Sequence, residues 1–107
     1  MKKDELVRAV QNGSIEWQKH ALERMLERRV SRDMVKQALI LGEIIEDYSE
    51  QKPYPGALFL GWVDGKPLHV VVAFNELNSF CFIITAYMPD LEHFEADFKT
   101  RRNRGEQ

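Results

Sequence analysis

Histidines, arginines and two hydroxyls carry most of the chemistry open to this chain. Trp17, His20, Arg24 and Arg28 recur at intervals of three and four, so on one helix they fall within about 80° of each other. A histidine with arginines four and eight residues further on suits an anion such as phosphate. Guanidinium groups clamp phosphate oxygens bidentately, and an imidazole gives or takes a proton near neutral pH. The same stripe also fits a charged helix edge on which Glu23 and Glu27 pair with neighbouring basic residues. His69 lies between Leu68 and Val70 in an apolar run. It reads either as a hydrogen-bonded core residue or, with Thr85 and Tyr87 as neighbours, as part of a proton-transfer patch.

Other chemistries have weaker support. There is no HExxH, no carboxylate cage and no cysteine pair, so no metal site is expected. Neither a GxGxxG nor a Walker A loop is present, and no cofactor is expected. Cys81 is the single cysteine and reads as a small buried thiol. Fifteen basic and 17 acidic residues give a net charge of −2, which exerts no global pull on nucleic acid. Any such role must come from local clusters: Arg28, Arg29 and Arg32, or Lys99, Arg101, Arg102 and Arg104. The second cluster reads as a solvated end, partly neutralised by Asp90, Glu92, Glu95 and Asp97. The first residues show no apolar stretch after their lysines, and no run reaches the ~20 apolar residues of a membrane span. A cytoplasmic protein without a membrane partner is the expectation.

The elements that would position these groups follow from the periodicity. Residues 4–11 suit a short helix, broken by Asn12-Gly13-Ser14. From Gln18 to Arg29 the stripe of Ala21, Leu22, Met25 and Leu26 is helical and core-facing. Ser31 suits the N-cap of a further helix, with Met34, Val35, Ala38 and Leu39 inward and Gly42 at its end. The period then changes. Strands are expected over Glu43–Tyr48, Ala57–Val63, Lys66–Phe74 and Ser79–Tyr87, with a Pro-rich loop at 51–56. Asp64-Gly65 is the preferred pair of a two-residue hairpin turn. Leu91–Phe98 suits a short C-terminal helix, and 99–107 a polar, frayed tail.

A single domain over 1–107 follows, with its core at about 15–98. Its class is α+β, with N-terminal helices on one face of a three- to four-stranded antiparallel sheet. The Asp64-Gly65 turn sets Leu60 opposite His69, and a turn centred on Leu77 sets His69 opposite Thr85. On that register Leu58, Leu60, Trp62, His69, Val71, Ala73, Cys81, Ile83, Thr85 and Tyr87 share one face. Phe59, Val63, Leu68, Val70, Val72, Phe74, Phe80, Phe82 and Ile84 form the other, more apolar face, which the helices should cover.

Three blocks bring a resemblance. His20-Ala21-x-x-Arg24-Met25-x-x-Arg28, Pro67-Leu68-His69-Val70-Val71 and Ile83-Ile84-Thr85-x-Tyr87 together resemble a widespread family of small bacterial domains of unknown function. The likeness runs from about Trp17 to Arg101, and the family is similar to the RelE and BrnT type of ribonuclease toxin. That implies a RelE/barnase-like fold and metal-independent RNA cleavage by a toxin, or a toxin-derived domain, partnered by an antitoxin and acting on RNA or the ribosome. It also implies His20 and His69 as acid and base, Arg24 and Arg28 as the phosphate clamp, and Thr85 and Tyr87 as positioning groups. The alternative is a non-catalytic module that docks a partner protein or nucleic acid through the same face. A purely structural or oligomerising role is a third option, resting on Trp62 and Tyr54 near the loops.

Overall fold

The computed structural model describes residues 1–103. Three helices, α1 (Lys3–Gln11), α2 (Lys19–Arg28) and α3 (Arg32–Leu41), pack on one five-stranded sheet. Its strands are β1 (Ile15–Trp17), β2 (Glu43–Tyr48), β3 (Gly56–Val63), β4 (Lys66–Asn75) and β5 (Phe80–Tyr87), in the spatial order β1-β5-β4-β3-β2. β1 runs parallel to β5 and all other pairs are antiparallel. The chain starts at one edge of the sheet and crosses to the other through α2 and α3. It then returns by hairpins until β5 lies beside β1.

The α+β class matches expectation, but an all-antiparallel sheet of three or four strands that all follow the helices does not. β1 accounts for the difference. It is three residues long, and Trp17 sits in it instead of on the helical stripe. Gly13, at φ 80°, turns the chain after α1, and Ser14 accepts a hydrogen bond from the Cys81 N–H at 3.0 Å, which starts the parallel pairing. The α2 stripe is also narrower than expected. Ala21 and Met25 are buried, whereas Leu26 is 82% exposed.

α3 begins where Ser31 Oγ accepts the Met34 N–H at 3.1 Å, an N-cap that replaces a missing intrahelical partner. Its contact with the sheet is unusually close. A β-carbon on Gly61 of β3 would run into the Ala38 backbone and side chain of α3, so only glycine allows this approach.

The hairpin register of β3 and β4 is the expected one. Asp64 and Gly65 take positive φ of 53° and 76°, and Leu60 lies opposite His69. The next pair differs. Near the turn Phe74 faces Cys81 and Val72 faces Ile83; a β-bulge then leaves Ile84 unpaired, Val71 faces Thr85, and His69 faces Tyr87 instead of Thr85. The consequence is a partial exchange of faces. Cys81 and Ile83 join Phe59, Val70, Val72 and Phe74 under the helices, while Phe80 and Phe82 move to the opposite face. Thr85 and Tyr87 stay on the face of His69, because the one-residue insertion restores the parity beyond it. Cys81 is fully buried, which pushes its thiol up to about 12.

No helix forms at 91–98. Residues 89–103 are instead a strap of turns folded across the sheet face that the helices leave open. Phe94 pairs with Arg101 in an isolated bridge, and the Arg102 N–H reaches the His93 carbonyl at 2.9 Å. The frayed tail expected from Lys99 therefore does not hold as far as Asn103, since Lys99, Arg101 and Arg102 each make an ion pair. Arg104 lies outside the described residues. Among the described residues, no helix is long and apolar enough to cross a membrane.

Candidate functional site

β1 ends at Trp17, opposite Ile83, so among the described residues the outer edge of β5 has no strand neighbour from Ile84 onward. Arg28, in the last turn of α2, reaches this free edge. Its Nη1 donates to the Ala86 carbonyl at 3.0 Å and lies 3.4 Å from Thr85 Oγ1. The guanidinium thus satisfies a backbone carbonyl that a strand would otherwise take, and it stands beside the hydroxyl face of β5.

On that face Tyr87 and His69 form one network. His69 Nε2 lies 2.7 Å from the Phe98 carbonyl of the strap, which can only accept, so Nε2 carries the proton. Nδ1 is then the acceptor for the Tyr87 hydroxyl at 3.3 Å. Phe94 stands edge-on to the imidazole at a centroid distance of 4.6 Å and closes it from solvent. His69 is 0% exposed. Burial holds it below its ordinary pKa, an effect that the Phe98 carbonyl opposes and the Arg101 charge reinforces. Burial likewise raises Tyr87, which stays a neutral phenol.

The strap contributes the rest. Asp90 Oδ1 accepts the backbone N–H groups of Glu92 and His93 at 3.0 and 2.9 Å, and it also accepts His93 Nδ1–H at 2.8 Å. These bonds, led by that to the imidazole, lower the Asp90 carboxyl. They orient His93 with Nε2 as its remaining ring nitrogen. Arg101 is held by Glu46, with Nε–Oε2 at 2.7 Å and Nη2–Oε1 at 3.1 Å, and its guanidinium carbon lies 5.0 Å from the Phe94 ring centroid. Arg28, Tyr87, Asp90, His93, Phe94 and Arg101 line one open cleft of about 430 Å³. A cavity of about 410 Å³ at the far end of the sheet is lined by Glu5, Arg8, Asn12, Ser14 and Asn78, and holds no imidazole or phenol.

Four of the six expected site residues are therefore brought together: His69, Thr85, Tyr87 and Arg28. His20 and Arg24 are not. His20 is 93% exposed on α2, with Nδ1 3.4 Å from Glu23 Oε1, and Arg24 faces Glu27 at 3.9 Å. Arg101, His93 and Asp90 were missed. Arg101 was visible as part of the tail cluster but looked like a solvated end, whereas Asp90-x-x-His93 after Pro89 was a readable i,i+3 pair. Asp90, Glu92 and His93 are also the described residues close enough to share a metal ion, with ligand atoms within 4.8 Å. All three are exposed, and Asp90 Oδ1 already accepts three N–H groups, which is the geometry of a turn-closing aspartate.

The cleft can hold an oxyanion between two guanidiniums and a phenol, with a carboxylate-oriented imidazole within the same lining. Comparison with known proteins adds a family and no activity. The family described as Domain of unknown function (DUF4258) matches residues 17–88, more than half of the chain. No curated protein and no solved structure matches.

Proposed function

The chain belongs to the DUF4258 family of unknown function, and from that premise we propose a domain that binds an RNA phosphodiester and cleaves it without metal. Its biological setting is that of a toxin or toxin-derived domain restrained by an antitoxin, with free or ribosome-bound RNA as substrate. The observation that carries this is the convergence of Arg28, Arg101, Tyr87 and the Asp90–His93 pair on one open cleft.

In this mechanism the ribose 2′-oxygen attacks the adjacent phosphorus as His93 Nε2 takes its proton. The P–O5′ bond breaks, and the Tyr87 hydroxyl, its single proton turned from His69 Nδ1 toward the cleft, protonates the departing oxygen. The products are a 2′,3′-cyclic phosphate and a free 5′-hydroxyl, and water returns the proton from His93 to Tyr87. Arg28 and Arg101 steady the pentavalent phosphate, with Thr85 beside them. His69 positions Tyr87 from behind. Arg24, one turn before Arg28 on α2, extends the basic track, and His20 is left outside the reaction.

The test is growth and RNA integrity on induction of wild type, Arg28→Ala, His93→Ala and Tyr87→Phe, followed by purified protein on single-stranded RNA in excess chelator. Wild type should arrest growth and leave cyclic-phosphate ends. Each variant, shown folded by a thermal melt, should lose at least ~100-fold in rate. Wild type that leaves both growth and RNA untouched sinks the catalytic claim.

A second reading has its own support. The buried His69 has both ring nitrogens engaged and His20 stands apart on α2, so the histidine pair expected from the motifs is not assembled. That favours a non-catalytic module that binds RNA or a partner protein at the same cleft, with affinity retained and no strand scission.

A further inference from the structure

The β-bulge at Ile84 has an effect beyond setting Thr85 and Tyr87 on the open face. It also turns Phe80 and Phe82 out of the core and onto that face. Here Tyr54, from the loop between β2 and β3, lies over Phe82 with ring centroids 5.4 Å apart and planes 4° apart. Phe80 lies against Phe82 at 5.6 Å. The Tyr54 loop is tied to the sheet, since the Pro55 carbonyl accepts the Phe74 N–H at 2.9 Å. The aromatic group is therefore fixed and flat, and it is only half covered. A cavity of about 260 Å³ opens beside it, lined by Gln18, Gln51, Lys52, Tyr54, Phe82 and Ile84.

We infer that Tyr54 and Phe82 form a stacking platform for one nucleobase of a single-stranded RNA whose phosphodiester occupies the cleft at Arg28 and Tyr87. This rests on reading that cleft as a phosphodiester site. Three features select this occupant. Flat, half-exposed rings on a sheet accept the face of any base, and stacking is the sequence-tolerant part of single-strand recognition. The rim carries two amide side chains, which match the mixed donors and acceptors of a base edge, and one lysine for the flanking phosphate. The platform also lies on the strand that carries the cleft. Phe82 and Thr85 share β5 and its open face, about 10 Å apart at the rise of a strand. A short length of extended single strand spans that separation. The cleft lies at the Tyr87 end of β5 and the aromatic cavity beside Phe82 and Ile84, so β5 runs from one to the other.

The test is fluorescence anisotropy with a labelled 2′-O-methyl oligouridine, which cannot be cleaved through its 2′ oxygen, beside an abasic oligomer of the same length. Wild type should bind the base-bearing oligomer about tenfold tighter than the abasic one. Tyr54→Ala should remove that difference and leave abasic affinity unchanged, Tyr54→Trp should keep it, and Arg28→Ala should weaken both oligomers alike. Equal wild-type affinity for the two oligomers overturns the platform and leaves the phosphodiester cleft standing. A folded Tyr54→Ala that still prefers the base-bearing oligomer also overturns it. If wild type binds neither oligomer, the cleft fails and the platform with it. Should Tyr54→Ala not fold, the wild-type comparison alone decides.

Discussion

The two faces of the sheet are covered by different kinds of chain. Under the helices Phe59, Val70, Val72, Phe74 and Ile83 are fully buried against Leu6, Met25, Val35 and Leu39, apolar atoms against apolar atoms. On the other face the strap covers only the half beside His69. It holds by a buried histidine on the Phe98 carbonyl, by Phe94, and by Arg101–Glu46 and Lys99–Glu43 at the rim. The first face is a non-directional mass of buried area; the second is a small set of directional contacts over two aromatic rings, Phe94 against His69 and Phe98 against Trp62. The cleft forms where the strap meets β5, so the candidate site lies at the edge of the less massively held cover. Sites that must open or adapt are drawn from such regions.

The largest expected effect lies on the helix-covered face. Phe59→Ala should cost about 3–5 kcal/mol, a large part of the 5–15 kcal/mol that stabilises an ordinary domain. Gly61→Val should act through the same layer by forcing α3 off β3, at a cost of about 1–3 kcal/mol or more. Urea titration read by circular dichroism measures both. A loss below about 1 kcal/mol in Phe59→Ala would mean that the layer repacks freely, and the contrast between the faces would weaken.

Phe94→Ala tests the other cover. Phe94 is 3% exposed, as buried as much of the core, yet it packs from a segment with its own local hydrogen bonds. The variant should lose about 2 kcal/mol at most in the global transition, because the strap can release before the sheet does. Hydrogen exchange gives the decisive reading. The amides of Phe94, Glu95, Phe98 and Arg102 should exchange by local opening, faster than those of β3 and β4. If they exchange only with global unfolding, the strap and the core are one cooperative unit.

The same contrast explains what could be read in advance. The helical periods around Met25 and Val35, the Ser31 cap and the Asp64-Gly65 register were legible because each is decided within a few residues. The bulge at Ile84 was not. Phe80 to Ile84 is apolar apart from the thiol, so no polar alternation marks which residues face inward. β1 was hidden because three residues carry too little period, and Trp17 happens to continue the spacing of α2. In the site, Arg28, Thr85 and Tyr87 were legible as motif members. Arg101 was not, because its partner Glu46 lies 55 residues away and a mixed charged tail looks like a solvated one.

A smaller effect separates the faces by pH. The folded state depresses the pKa of His69 below its ordinary value of 6.5. In the window just below 6.5 the unfolded chain therefore binds the proton more readily than the native one, so stability is full above 6.5 and falls as pH falls. Burial is the main cause, and the strap supplies part of it through Phe94. His69→Gln should lose this decline while keeping the steeper loss at more acid pH. That second loss comes from Glu46, Asp90 and Asp97, whose carboxyls the hydrogen bonds of the fold hold below their ordinary values. Melting temperature against pH for the two proteins is the measurement. Parallel curves between pH 7 and 5 would mean that His69 takes its proton as easily folded as unfolded.

The smallest effect is expected at the strap's outer fastening. Arg101 is bidentate on Glu46, but its side chain is 56% exposed, so water and salt screen the pair. Glu46→Gln should cost about 0.5–1 kcal/mol, within the error of many denaturation curves. The functional consequence is the more informative one. Arg101 is a wall of the cleft, and Glu46 both fixes its direction and neutralises its charge. Freed from Glu46, Arg101 keeps its charge but loses its orientation, so two opposing changes meet in one assay. Affinity for an anion such as inorganic tripolyphosphate should rise as the competing carboxylate disappears, and the rise should shrink with added salt. RNA cleavage should fall, because the transition state needs a guanidinium already aimed at it. If binding and cleavage move together in Glu46→Gln, Arg101 supplies charge alone, and the strap need only hold it near the cleft instead of aiming it.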